Sequence, residues 1–279
     1  MHQLTITDIQ SYAEYLHTQE RSPATIQKYR RSLERFYFWL PESKNVDKPT
    51  VITYKEMLSE SHAPAGVNTI LAALNGFFRW QNWQDCVVKP LHIQRKVFSA
   101  PETELTKEEY FRLVETARRK QDTRLELLLQ LMASTGIRVS EIRYVTVESL
   151  NQNRVQIQLK GKIRTILLPG KLCHKLRKYQ RQQKIISGPI FVTRDGKPID
   201  RRKIWAQMKQ LCSEAGVPKS KVFPHNLRHL FARTFYKSQQ DIAKLADVLG
   251  HSSIETTRIY LLSSGMEHQK ILDSLHLIS

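Results

Sequence analysis

Apolar positions along the first eighty residues recur every three or four places. Between Ala24 and Leu40 they are Ile26, Tyr29, Leu33, Phe36 and Leu40, one face of a helix, with Lys28, Arg30, Arg31 and Arg35 on its other sides. Ser22-Pro23 supplies an N-cap and a first-turn proline for that helix, and Pro41 stops it. Similar patterns predict a helix over 9–16, opened by Thr7-Asp8, and two more over 50–59 and 64–83. Aromatic residues are dense in this region (Phe36, Phe38, Trp39, Phe77, Phe78, Trp80, Trp83) and suit the core of a small helical unit.

From Cys86 to Leu105 the period dissolves. Pro90 and Pro101 bracket a stretch with Lys89, Arg95 and Lys96, which reads as an extended basic linker over 89–104. It separates a first unit, 1–88, from a second, 105–279. Thr106 and Glu109 form a capping-box pattern at the start of the second unit. The run from Leu125 to Thr135 reads as a buried helix, ended by Gly136 as a left-handed cap. The period then changes to two: 154–159 and 163–168 alternate as strands around a turn at Lys160-Gly161-Lys162. Residues 189–193 read as a third strand, turning at Asp195-Gly196. Helices are expected over 171–186, 201–215, 225–237, 241–249 and 252–261. The last has a second capping box, Ser252 to Glu255, which sets His251 just outside its N-terminus, a position suited to anions. The expected fold class is mainly α with a small antiparallel β-sheet: a helical N-terminal domain followed by a mixed α/β domain.

Composition narrows the partners. With 41% hydrophobic and 25% charged residues the chain reads as a soluble globular protein. The first residues lack the basic and apolar regions of a signal peptide. The most apolar stretch, 125–137, is interrupted by Glu126 and Gln130 and is too short to span a bilayer. Cys86, Cys173 and Cys212 are scattered, which argues against a disulfide framework or a zinc knuckle and for a reducing cytoplasm. Net charge is +18 and unevenly placed: residues 1–95 hold 11 Lys/Arg against 9 Asp/Glu, and residues 96–279 hold 33 against 17. Eleven basic residues and no acid lie between Ser149 and Arg194. A one-signed field of this size points to a polyanion, with duplex DNA the obvious case and binding that falls steeply with salt. Candidate phosphate contacts are Lys28, Arg31, Arg35, Lys89, Arg95, Lys96, Lys162 and Arg164.

Three short motifs carry the candidate chemistry. Arg138 and Glu141 lie in Thr135-Gly-Ile-Arg-Val-Ser-Glu141, three apart, so the carboxylate can orient the guanidinium. His225 and Arg228, in His-Asn-Leu-Arg-His229, share a helix face after Pro224 and can address one phosphate. His225 and His229 are also four apart, a zinc spacing, but no glutamate stands between them and no third ligand stands nearby. Leu249-Gly250-His251 is followed nine residues on by Tyr260. A tyrosine is mostly neutral at pH 7, and neighbouring arginines and histidines would stabilise its phenolate as a nucleophile.

In order and spacing these residues resemble the tyrosine recombinases, the phage-integrase family that cuts and rejoins DNA through a phosphotyrosine. The resemblance covers essentially the whole chain and is most specific between Arg138 and Tyr260. It implies a core-binding, SAM-like helical domain and a catalytic domain that close as a C-shaped clamp on DNA. Tyr260 would be the nucleophile, with Arg138, His225, Arg228 and His251 catalytic and Glu141 supporting. A hairpin lysine would be the general acid. The family's Gly-Lys-Gly-x-Lys-x-Arg turn is matched by Leu-Lys160-Gly-Lys162-Ile-Arg164, one residue shorter, which favours Lys160 while leaving Lys162 open. The reaction implied is transesterification without metal, ATP or cofactor, through a 3′-phosphotyrosine and a Holliday junction.

The partner implied is duplex DNA with inverted-repeat core sites, bound by a dimer per site and a tetramer in the synapse. The apolar-striped tail, 265–279, would dock in trans or on its own domain. Without an evident arm-binding domain the chain resembles a compact core-site enzyme. Its role would be resolution, with a transposon-encoded cointegrate resolvase preferred, or integration and excision of a mobile element. Two rivals fit the same residue types: a type IB topoisomerase and a catalytically silent DNA-binding regulator.

Overall fold

Most helix starts among the described residues follow side-chain capping. Thr5 Oγ1 accepts from the Asp8 amide at 3.1 Å while the Asp8 carboxylate accepts from the Thr5 amide at 2.9 Å. This box opens α1 (Ile6–Thr18) at Thr5 and draws Thr7 into the first turn, where the sequence had suggested Thr7-Asp8 as the start. Ser22 caps α2 (Pro23–Trp39), with Pro23 in its first turn. Asp47 caps α3 (Lys48–Ser61), and α4 (Pro64–Trp80) ends before Trp83, which the helical pattern had included. A two-residue strand β1 (His2–Gln3) pairs antiparallel with β2 (Asn45–Val46). In a computed structural model of the protein the described residues are 2–93, 103–159, 162–193, 195–251, 253–261 and 273–274. The chain divides into two units, Met1–Arg95 and Lys96–Ser279.

The first unit closes over Leu33, Phe36, Tyr54, Leu58, Leu71, Phe77 and Phe78, all buried. Two asparagines seven apart on α4 then grip the chain as it leaves. Asn75 donates to the Val88 carbonyl at 2.8 Å and accepts from the Val88 amide at 3.1 Å, and Asn68 does the same to Leu91 at 2.9 and 2.7 Å. The expected linker therefore begins as a docked segment, with the Lys89 carbonyl also accepting from Lys55 at 2.9 Å.

In the second unit, Thr106 and Glu109 form the expected capping box of α5 (Lys107–Arg119). Next come α6 (Thr123–Thr135), α7 (Val147–Asn151), the hairpin β3 (Arg154–Leu159) and β4 (Lys162–Leu167), α8 (Gly170–Gln182) and α9 (Arg201–Ala215). The unit continues through α10 (Pro224–Gln239), α11 (Ile242–Leu249) and the short α12 (Ile254–Arg258). The leucines of α6 are buried, with Val155, Ile157 and Ile166 packed into the same core from the hairpin. β3 and β4 pair in antiparallel register from Arg154–Leu167 to Leu159–Lys162. The third strand does not form among the described residues. Residues 189–193 make isolated bridges, Thr146 to Pro189 and Val192 to Pro198, because their backbone bonds are split between two different partners. No helix among the described residues is long and apolar enough to cross a membrane.

Gly136 ends α6 with φ +61°, and a Cβ there would lie 2.5 Å from Phe231 and 2.9 Å from Leu249. Left-handed strain and overpacking act together at this corner. Gly136→Ala should lower unfolding stability by about 2–4 kcal/mol. Urea titration followed by circular dichroism checks this, and an unchanged midpoint would refute it.

Candidate active site

Four segments bring their polar side chains together. α6 ends at Gly136, and the chain turns through extended Arg138 into a 3-10 turn, Val139–Tyr144. Glu141 on that turn accepts from the Arg138 amide and from its guanidinium, both at 2.9 Å. The sequence spacing suggested this pair. A second cation on the same carboxylate was not foreseen: Arg164 Nη1 lies 2.8 and 2.7 Å from the two Glu141 oxygens.

α10 packs on α6 and carries His225, Arg228 and His229. Arg228 is only 2% exposed. Its guanidinium donates to the Gly136 carbonyl, to the Leu249 carbonyl at 2.8 Å and to His251 Nε2 at 2.9 Å. A guanidinium has no acceptor, so His251 Nε2 accepts and its proton sits on Nδ1, which donates to Thr257 Oγ1 at 2.8 Å. Thr257 is fully buried on α12. Ser253 caps α12 without a side-chain bond, so that residue contributes nothing to the expected second capping box; Ser252 lies outside the described residues.

Tyr260 follows in a 3-10 turn, Ile259–Leu261, and is buried. Its ring centre stands 4.3 Å from that of His229 and 5.4 Å from those of His225 and His251, with the Arg228 guanidinium 5.9 Å away. Tyr260 also packs with Ala232, Leu245 and Leu249. The tyrosine is thus held by apolar contacts on one side and ringed by imidazoles and arginine on the other.

These cations crowd one another in a buried place. Burial, then the Arg138 charge, lowers the Arg228 pKa to about 10, which leaves it charged at neutral pH. Burial, then Arg228 and Arg138, lowers His225. Burial, then His225 and Arg228, brings His229 down to about 4, and burial with Arg228 first among its charged neighbours does the same to His251. All three imidazoles are therefore neutral at pH 7 before any anion arrives.

The structure gathers Arg138, Glu141, His225, Arg228, His251 and Tyr260 in one place, and adds His229, Thr257 and Arg164. His229 was visible in the motif without an assigned role. Arg164 was expected at a DNA surface, yet it points inward beside Ile166. The two-residue alternation along β4 already put both on the core side. Lys160, Arg95 and Lys96 lie outside the described residues, as does most of the tail 265–279; Lys162 pairs its backbone with Leu159. Lys28, Arg31 and Arg35 are exposed and line one groove along α2 with Gln27 and Ile70, and Lys89 is exposed on the docked segment. His225 and His229 meet edge-on at 4.7 Å, and the group of residues suited to a metal among those described is elsewhere, at His2, Asp85 and Cys86.

The sequence matches two family models: the phage integrase family over residues 103–265, and the phage integrase N-terminal SAM-like domain over 9–85. The tyrosine recombinase XerA of Pyrococcus furiosus is 27% identical, with 96% of this chain and 95% of that protein covered. The tyrosine recombinase XerD of Xanthomonas axonopodis pv. citri is 26% identical, covering 90% and 91%. In fold, the chain is similar to a XerH recombinase solved on palindromic difH DNA after cleavage, with TM-score 0.73 and 19% identity over 98% of this chain and 84% of that one. A lambda integrase dimer solved on a COC′ core site gives TM-score 0.73 and 16% identity over 92% and 94%.

The lowered histidines give a signed pH dependence. His229 and His251 bind a proton near pH 6.5 when unfolded and near pH 4 when folded. Between those values the unfolded state holds more protons, so their contribution is complete above pH 6.5 and drains away as pH falls toward 4. His229→Gln should flatten the loss of stability between pH 6.5 and 4.5 by about one proton. Urea unfolding at stepped pH measures the two slopes, and parallel slopes would contradict the assignment.

Proposed function

The chain belongs to the phage integrase family, and from that premise we propose that it is a site-specific DNA recombinase with Tyr260 as its nucleophile. The observation that carries the proposal is Tyr260 buried among three neutral imidazoles beside the Arg228 guanidinium. Every polar group around the ring is one that bonds phosphate oxygen or moves a proton.

In the proposed reaction the Tyr260 oxygen attacks a backbone phosphorus as the phenol proton passes to a neutral imidazole. The bond from phosphorus to the 5′ oxygen breaks. Arg138 and Arg228 stabilise the charge on the nonbridging oxygens, which is preorganised electrostatic catalysis. The imidazoles gain protons more easily once the phosphate anion is bound, because opposite charge favours their cationic form. A hairpin lysine, Lys160 or Lys162, protonates the leaving 5′ oxygen. The product is a 3′-phosphotyrosine that keeps the energy of the broken bond. A 5′-hydroxyl from a second duplex can then reverse the step on a new partner, with no need for metal or ATP.

The proposed substrate is duplex DNA with inverted-repeat core sites, handled by a dimer on each site and a tetramer at a Holliday junction. Integrase structures of the same fold include a dimer on a core site and a tetramer on a Holliday junction. Lys28, Arg31 and Arg35, three exposed cations on one face of α2, are proposed to follow the phosphate backbone. The tail is proposed to dock on a neighbouring protomer, and the protein to act in the cytoplasm, resolving, integrating or excising a mobile element. Relatives matched over nearly the whole chain are tyrosine recombinases, which gives no support to the topoisomerase or silent-regulator readings.

The test is SDS-resistant capture of protein on fragmented genomic DNA, followed by sequencing of the captured fragments. Wild type should yield a discrete inverted-repeat site. Tyr260→Phe should yield no adduct while binding that site within about threefold, with the same salt slope. Adducts spread without sequence preference, or a phenylalanine variant that still forms them, would overturn the proposal.

A further inference from the structure

Arg138 and Arg164 share one carboxylate but stand in opposite surroundings. The Arg138 side chain is 40% exposed, at the mouth of the site, whereas that of Arg164 is 11% exposed. Glu141 sits between them. An Arg–Glu pair that open to solvent is weakly held, since two long side chains lose freedom for little gain. A second guanidinium bound to both carboxylate oxygens removes that freedom from Glu141 in advance.

Arg164 also reaches a third segment. Its Nη2 donates to the Val248 carbonyl at 3.5 Å, on the last turn of α11. Its stem lies against Gly250, where a Cβ would come within 2.5 Å of Arg164 Cδ and 2.6 Å of its Nε. Gly250 has φ +62°, so glycine there meets two demands at once: a left-handed cap for α11 and room for the arginine stem. The next residue is His251. Strand β4, the Glu141 turn and the approach to His251 therefore converge on this one side chain.

We propose that Arg164 is a positioning residue for strand cleavage. Through Glu141 it fixes the Arg138 guanidinium, and through Val248 and Gly250 it fixes the segment that presents His251. It does not touch DNA phosphate. This inference rests on the strand-cleavage reading of Arg138 and Tyr260.

The test uses the full chain and the duplex recovered by adduct capture, nicked so that the cleaved strand cannot rejoin. Arg164→Met should slow single-turnover cleavage on the order of 10- to 100-fold, the usual cost of losing a group that orients a contact residue. Duplex affinity should stay within about threefold with an unchanged salt slope. Arg164→Lys should recover part of the rate. The pair Glu141→Gln with Arg164→Met should be no slower than the slower single variant, since both act on one path. If Arg164→Met alone does not fold, the pair carries the same comparison against Glu141→Gln, because it leaves no unpaired buried carboxylate. Cleavage by Arg164→Met at the wild-type rate, multiplicative losses in the pair, or a salt slope lowered by about one would each overturn the inference. Failure of the wild type to form an adduct on any duplex would instead refute the recombinase reading itself.

Discussion

A guanidinium withdrawn from water is costly unless its N–H groups find fixed acceptors. Arg228 meets most of that demand through its Nη groups, with the carbonyls of Gly136 and Leu249 and the ring of His251. The acceptors come from the ends of α6 and α11 and from His251, two residues past α11. Each must be in place for the charge to be tolerated, so folding of these ends and assembly of the site are one event. Both helices end on left-handed glycines, Gly136 and Gly250, which turn the chain sharply enough to bring backbone oxygen to one point. Placing Arg228 also selects the His251 tautomer, which in turn calls for a buried acceptor at Thr257.

The electrostatic state that results is unusual for a strongly basic protein. Three imidazoles are held below the usual histidine range first by their burial and then by the positive charge the arginines nearby already carry. A phosphate group would relieve that repulsion at every one of them together. The site is therefore more hospitable to protons with its anion than without it, and proton uptake and anion binding reinforce each other.

Much of this was legible from residues alone. Capping rules found Ser22-Pro23 and Thr106 with Glu109, and helical spacing put His225 and Arg228 on one face. Those rules act over three or four residues, so a window of sequence contains all the physics. The misses are of a different kind. Thr5 was passed over because Thr7 also precedes an apolar run. The third strand failed because its backbone partners lie in two separate segments, which local alternation does not reveal. Asn68 and Asn75 bind a segment more than a dozen residues on, with no signal except their common helix face. Arg164 shows two rules in conflict: charge density assigned it to the surface, while its parity with Ile166 assigned it to the interior. Parity prevailed because Glu141 was waiting there, and that partner is 23 residues away.

The anchoring of the hairpin at Arg164 has a bearing on how this chain can vary. Register in β3 and β4 is secured within the paired strands, by the Arg164–Glu141 ion pair opposite Ile157 and by the core packing of Val155, Ile157 and Ile166. Insertions or deletions between residues 159 and 162 would therefore change the reach of the hairpin tip while leaving Arg138 undisturbed. Laboratory grafting therefore has freedom in the length of that tip, where the chain is one residue shorter than the pattern it resembles, provided a lysine is kept there, and little at Glu141, Val248 and Gly250 around Arg164.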